Sequence, residues 1–132
     1  MNEIPVFLTL DNVLAIHNRM ISEFGGETGI RDMGLLEAAV MMPMASFDNR
    51  FLHETVPSMA SAYLFHICLN HAFLDGNKRT ALASAEIFSN LNGFELEASD
   101  GELEKLTLGI IEKRFSKAEV KSFFENRLRP QP

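Results

Sequence analysis

The nine residues His71-Ala72-Phe73-Leu74-Asp75-Gly76-Asn77-Lys78-Arg79 bring together an imidazole, a carboxylate, a carboxamide, an ammonium and a guanidinium. They lie between the two most apolar segments of the chain, where polar groups are costly unless they are paired or bind something. Their order suits a phosphate. Gly76 allows close backbone approach, and the free N–H groups of Asn77, Lys78 and Arg79 open a helix whose N-terminus carries about half a positive charge. Lys78 and Arg79 add full charges at the same place, the arginine with a fork that matches phosphate oxygens. Asp75 is the nearby carboxylate, and Mg²⁺ typically takes one or two carboxylates together with substrate phosphates. His71 ends the preceding helix and can take the proton of an attacking hydroxyl, which contributes typically ~10²–10⁴-fold in rate.

Each of these residues also has an ordinary structural use. A histidine at a helix end is most often structural, and an aspartate before a helix is usually its N-cap. Lys78 and Arg79 can be solvated first-turn residues, but cations there run against the helix dipole. Such local misfits concentrate at functional sites. It is the combination that favours chemistry over structure.

The elements that must position this cluster read as helices. Val13, Leu14, His17, Ile21 and Phe24 form one face of a helix that Thr9 can cap and Gly25-Gly26 ends. Asp32 can cap a second helix carrying Leu35, Leu36, Ala39 and Val40, which Pro43 stops. Ser99-x-x-Glu102 and Ser116-x-x-Glu119 are capping-box patterns that open two C-terminal helices. Residues 57–70 and 77–92 are apolar on most faces, which marks them as core helices that the amphipathic ones wrap. Phe94–Glu97 is the only strand candidate. The expected fold is an all-α compact bundle of about six or seven helices with at most a minor β element.

The chain of 132 residues is short for more than one domain, at roughly 150 residues each. Residues 1–128 are expected to form that domain, and Arg129-Pro130-Gln131-Pro132 to fray. A net charge of −6 argues against direct nucleic-acid binding or attraction to an anionic membrane. No apolar run approaches the ~20 residues of a membrane span, and the N-terminus lacks a secretory pattern. The lone Cys68 cannot pair internally, which points to a reducing compartment and a cytoplasmic location.

His71-x-Phe73-x-Asp75-Gly76-Asn77-Lys78-Arg79 resembles the signature of the Fic/Doc superfamily, in the variant of the death-on-curing (Doc) toxins. Phe7-Leu8-Thr9-Leu10, Gly29-Ile30-Arg31-Asp32 with Leu35-Leu36-Glu37, and Leu91-Asn92-Gly93-Phe94 resemble further stretches of it. The resemblance implies an all-α fold, use of ATP and magnesium, modification of a protein hydroxyl, and inhibition by a partner antitoxin. It also implies roles: His71 as general base, Phe73 as core anchor, Asp75 as the magnesium-holding acid, and Gly76, Asn77 and Arg79 as the phosphate cradle. Lys78 stands where adenylyl-transferring relatives have glycine, and Leu82 where they have a second arginine. In the Doc branch the first change accompanies transfer of the terminal phosphate instead of the nucleotide monophosphate, with elongation factor Tu as target. Ala72 replaces a proline common in the motif.

Three functions therefore remain to be separated: a Doc-type protein kinase, an adenylyl transferase on the same scaffold, and an inert partner of an antitoxin. Ser46–Val56 is the longest irregular stretch and the candidate target-binding loop, since a flap in that neighbourhood docks the target in the wider family. No self-inhibitory serine/threonine-x-x-x-glutamate helix is evident, so restraint would come from a separate antitoxin. A disordered antitoxin segment folding into an apolar groove is expected, with Met41, Met42 and Phe47 as candidate contacts. His17 reads as a satisfied core or boundary histidine and Cys68 as an inert core thiol. His53 and His66 lack zinc-ligand spacing. The segment Glu95–Glu104, with five acidic and no basic residues, reads as a solvated face.

Overall fold

Side-chain caps set most of the helix starts in the structure, a computed structural model that describes residues 4–132. The Thr9 hydroxyl accepts the Asn12 N–H and starts α1 (Leu10–Phe24), and Gly25 ends it. Asp32 caps α2 (Met33–Met41), which Pro43 converts into the 3₁₀ turn Met42–Met44. Thr55 caps α3 (Val56–Asn70), while Gly76 opens α4 (Asn77–Leu91). Both expected capping boxes form, at Ser99 for α5 (Asp100–Ile111) and at Ser116 for α6 (Lys117–Arg127). Six α-helices and two small antiparallel sheets make up the regular structure of the described residues, a mostly helical bundle. None of these helices is long and apolar enough to cross a membrane.

α3 is the central element and packs against α2, α4, α5 and α6. Its neighbours meet over Tyr63, Leu64, Phe73, Phe88 and Phe124, all fully buried. Tyr63 also ties down the N-terminal segment, its hydroxyl oxygen accepting the Leu8 N–H at 2.9 Å. Burial pushes the Tyr63 hydroxyl up to about 12 and the Cys68 thiol to about 12, so Cys68 is the inert core thiol its apolar setting suggested.

Two segments differ from the sequence expectation. The C-terminal residues do not fray: β4 (Leu128–Pro130) pairs antiparallel with β3 (Phe94–Leu96), and the Gln131 N–H donates to the Gly93 carbonyl at 2.9 Å. Leu128 is buried and anchors the strand, and Arg129 forms an ion pair with Glu97 at 3.0 Å. An unpaired β3 would have exposed its backbone, which the chain end covers. The stretch Ser46–Val56 is also partly regular. β1 (Ser46–Phe47) and β2 (Arg50–Phe51) form a hairpin whose two turn residues, Asp48 and Asn49, have φ of 53° and 63°. Positive φ at both central positions is the tight-hairpin geometry that Asp and Asn tolerate.

His53, just beyond this hairpin, and His66 of α3 hold imidazole nitrogens that are buried without a hydrogen-bond partner. Burial, reinforced by Lys117, lowers both pKa values, His66 to about 4. Below about pH 6.5 the unfolded imidazole binds a proton that the folded one refuses, so stability falls as pH drops from about 6.5 through about 4. The loss at His66 should be on the order of 2 kcal/mol by pH 4. Glu102, held down to about 2 by Arg127, titrates below that window and loses its stabilising effect only as pH falls from about 4.5 through about 2. Urea melts of wild type and His66→Leu between pH 7 and 4 check this. The wild-type slope should flatten in the variant, and equal slopes would show that His66 does not carry the dependence.

Candidate functional site

α3 and α4 are joined by a loop whose shape depends on two left-handed residues. His71 ends α3 with φ 47° and ψ 49°, and Gly76 begins α4 with φ 77° and ψ 16°. Between them Ala72 and Phe73 turn into the core while Leu74 and Asp75 remain exposed. The Asn77 side chain clasps the loop from inside. Its Oδ1 accepts the Phe73 N–H at 2.9 Å, and its Nδ2 donates to the Phe73 carbonyl at 2.9 Å. Asn77 is therefore buried, and only its backbone N–H is left to face an anion, a narrower role than a side-chain share in a phosphate cradle.

His17 supports the loop from α1. Its ring stacks on Phe73 with centroids 3.8 Å apart and planes 4° from parallel. Its Nε2 lies 2.8 Å from the Asp75 carbonyl, which can only accept, so Nε2 carries the proton. This is the satisfied core histidine expected from its position, but its partner lies in the candidate site.

The Asp75 carboxylate does not cap α4. One oxygen accepts the Glu27 N–H at 3.1 Å and the other the Gly76 N–H at 2.9 Å. These two amides, Glu27 first, hold its carboxyl below the usual carboxylate range, with His17 and Arg79 adding to the effect. Each oxygen keeps a lone pair, so an exposed, ionised carboxylate stands at the cleft with capacity for a cation. Gly26 leaves it room: a Cβ there would lie 2.7 Å from Asp75 Oδ2. Nothing in the sequence marked Gly26 beyond its place at the end of α1.

Five of the six α-helices in the described residues start under a side-chain cap, whereas Gly76 gives α4 none. The first amides of α4 are thus free of a side-chain acceptor and sit beside the Lys78 and Arg79 cations. Arg79 lies over the Phe24 ring at 4.2 Å, a cation–π contact that holds the guanidinium against the end of α1. His71, Asp75, Gly76, Asn77, Lys78 and Arg79 all line one cleft of about 1010 Å³, so every residue expected in the site faces the same space. The same cleft reaches Glu86, Asp100 and Glu104 on α4 and α5. Burial, then Asp100, raises the pKa of Glu86. The cleft thus sets the Lys78 and Arg79 cations at the start of α4 among carboxylates that also include Glu23 of α1. No group of three or more His, Cys, Asp or Glu side chains among the described residues could hold a metal by itself.

Comparison with known proteins adds sequence likeness to this geometry. The sequence model of the Fic/DOC family matches residues 7–89. A protein named Toxin Doc from Mycolicibacterium smegmatis is 45% identical over 75 residues, which cover 57% of this chain and 58% of that protein. The Protein kinase doc of Escherichia phage P1 is 35% identical over 102 residues, covering 75% of this chain and 77% of the phage protein. The match to the first thus spans less than two thirds of its length.

Proposed function

The chain belongs to the Fic/DOC family, and from that premise we propose that it is a Doc-type toxin, an ATP-dependent protein kinase that phosphorylates a hydroxyl of a translation factor. Elongation factor Tu is the proposed target and arrest of translation the proposed outcome. The observation that carries the reading is the uncapped start of α4, with Lys78 and Arg79 lining the same cleft as His71. The names of the two relatives, a toxin and a protein kinase, support it. A cytoplasmic location and dependence on ATP and magnesium belong to the same proposal.

On this reading the His71 imidazole takes the proton of the target hydroxyl as that oxygen bonds to the γ-phosphorus. The bond from phosphorus to the bridging oxygen breaks, and ADP leaves with its electron pair. The amides of Asn77, Lys78 and Arg79, with the two cations, bear the charge on the phosphates. Asp75, ionised and with free lone pairs, would hold magnesium together with phosphate oxygens, and the ion supplies further charge neutralisation there.

Asp75→Asn therefore tests the metal role. A neutral amide is a poorer ligand for a hard cation, so the magnesium needed for half-maximal transfer should rise about tenfold or more, with little change in nucleotide binding. A magnesium titration of transfer, beside nucleotide binding by calorimetry, reads both. Equal activity at low magnesium would remove Asp75 from the metal site.

The proposed regulator is a cognate antitoxin with a disordered segment that becomes helical in an apolar groove. Met41 at the end of α2 and Phe47 on the hairpin are 62% and 76% exposed, and Met42 lies between them in sequence, half-buried. Induction of the chain with and without its antitoxin tests the function. Growth arrest relieved by co-expression supports a toxin, and undisturbed growth would leave an inert binding protein. Arrest with the α-phosphate of ATP on the target would make it an adenylyl transferase instead.

A further inference from the structure

The stretch Gly29–Asp32 contributes nothing to the wall of the cleft, yet it runs beside the loop that presents the base. Ile30 and Phe73 form an antiparallel bridge, and the Leu74 N–H donates to the Gly29 carbonyl at 3.1 Å. The N–H groups of Arg31 and Asp32 both donate to the Ala72 carbonyl, at 2.7 and 3.0 Å. The Arg31 side chain reaches further back. Its Nε donates to the His71 carbonyl at 2.8 Å and its Nη2 to the Asn70 carbonyl at 3.3 Å.

α3 has a terminus that needs such help. The other five α-helices of the described residues end with the capping residue's own N–H bonded back to a carbonyl. At α3 the last carbonyls are instead taken by Arg31, and the cap is a histidine in the left-handed region, where a Cβ is unfavourable and glycine is usual. No basic residue lies in the last turn of α3, so a guanidinium from outside the helix supplies the positive charge its dipole favours. A lysine could not do the same, because only the fork of arginine addresses two carbonyls from fixed directions.

We propose that Arg31 is a positioning residue for the general base: by gripping the Asn70 and His71 carbonyls it holds His71 left-handed with its imidazole in the cleft. This rests on the reading of His71 as the base. Both bonds lie at exposed positions, so water can satisfy the carbonyls when the side chain is removed. The fold should then survive while the base loses its orientation, and small misplacements of a reacting group are costly.

The experiment compares the full chain with Arg31→Ala and Arg31→Lys by thermal melting, His71 ring and amide resonances in NMR, and kinetics of ATP-dependent transfer. In Arg31→Ala the His71 resonances should shift or broaden while those of Tyr63 in the core stay in place. The kcat should fall about tenfold or more with KM for ATP within about twofold, because ATP meets Lys78 and Arg79 on the intact start of α4. Arg31→Lys should restore little of the rate. Unchanged His71 resonances, an unchanged kcat, or full rescue by lysine would overturn the proposal. So would a loss of rate matched by general loss of folded protein. If the wild-type chain transfers nothing to protein, the kinase reading fails, and the NMR comparison alone decides whether Arg31 positions His71.

Discussion

His71→Ala should lose on the order of 10²–10⁴-fold in transfer rate while melting within a degree or two of wild type. The side chain is exposed, makes no hydrogen bond that holds the fold, and sits at the end of α3 rather than in the core. Its backbone conformation sharpens the expectation. With φ at 47°, a glycine at this position would relieve a left-handed strain on the order of 1 kcal/mol, so His71→Gly should be as inactive as His71→Ala and slightly more stable. On the proposed reading, the imidazole is what the glycine variant lacks. Thermal melts and labelled-phosphate transfer on the two variants check this together. Full activity in either variant, or unfolding of both, would contradict the assignment.

Lys78→Gly should change the reaction itself. The lysine sits at the second position of α4, where a cation opposes the helix dipole and the amides face the cleft. If it blocks the pocket that would take the β- and γ-phosphates in the adenylylating orientation, ATP binds reversed, with its γ-phosphate nearest His71. Its ammonium then also neutralises charge on the transferring phosphoryl group, and loss of one such donor costs on the order of 10²–10³-fold. The variant should therefore lose most phosphotransfer and gain at most a trace of nucleotide transfer, limited by Leu82, which lines the cleft where a second arginine is wanted. Target mass after incubation with each variant reads both products. A variant that phosphorylates as well as wild type would show that Lys78 does not set the product.

What could be read in the sequence was what depends on near neighbours. The capping patterns at Thr9, Ser99 and Ser116 work over three residues, and each forms as expected. The cluster from His71 to Arg79 is also continuous in sequence, and the α3–α4 loop with the start of α4 brings His71 and Asp75 to Arg79 to one cleft while Ala72 and Phe73 enter the core. What could not be read depends on distant partners. His17 meets Asp75 across 58 positions, and Arg31 meets His71 across 40. The space Gly26 leaves for Asp75 is likewise visible only once α1 is packed. Asn77 showed its type but not its direction, because the same carboxamide can face a ligand or turn inward to Phe73. The C-terminal residues looked like a tail because their polar, proline-containing end has no local reason to order. Their strand exists through β3, more than thirty positions earlier. The hairpin carried a signal in Asp48-Asn49, but its two-residue strands are too short for an alternating pattern.

The proposed reaction is transfer of the terminal phosphate of ATP to a protein hydroxyl, with His71 as base. It is tested most directly by incubating purified elongation factor Tu with the protein and magnesium, using ATP labelled on the α- or on the γ-phosphate, and measuring label and intact mass of the factor. The factor should gain the mass of one phosphate and label from the γ-position alone, and neither with His71→Ala. Label from the α-position with the mass of a whole nucleotide monophosphate would contradict it, and so would a factor left unmodified while the His71→Ala protein remains as toxic as wild type.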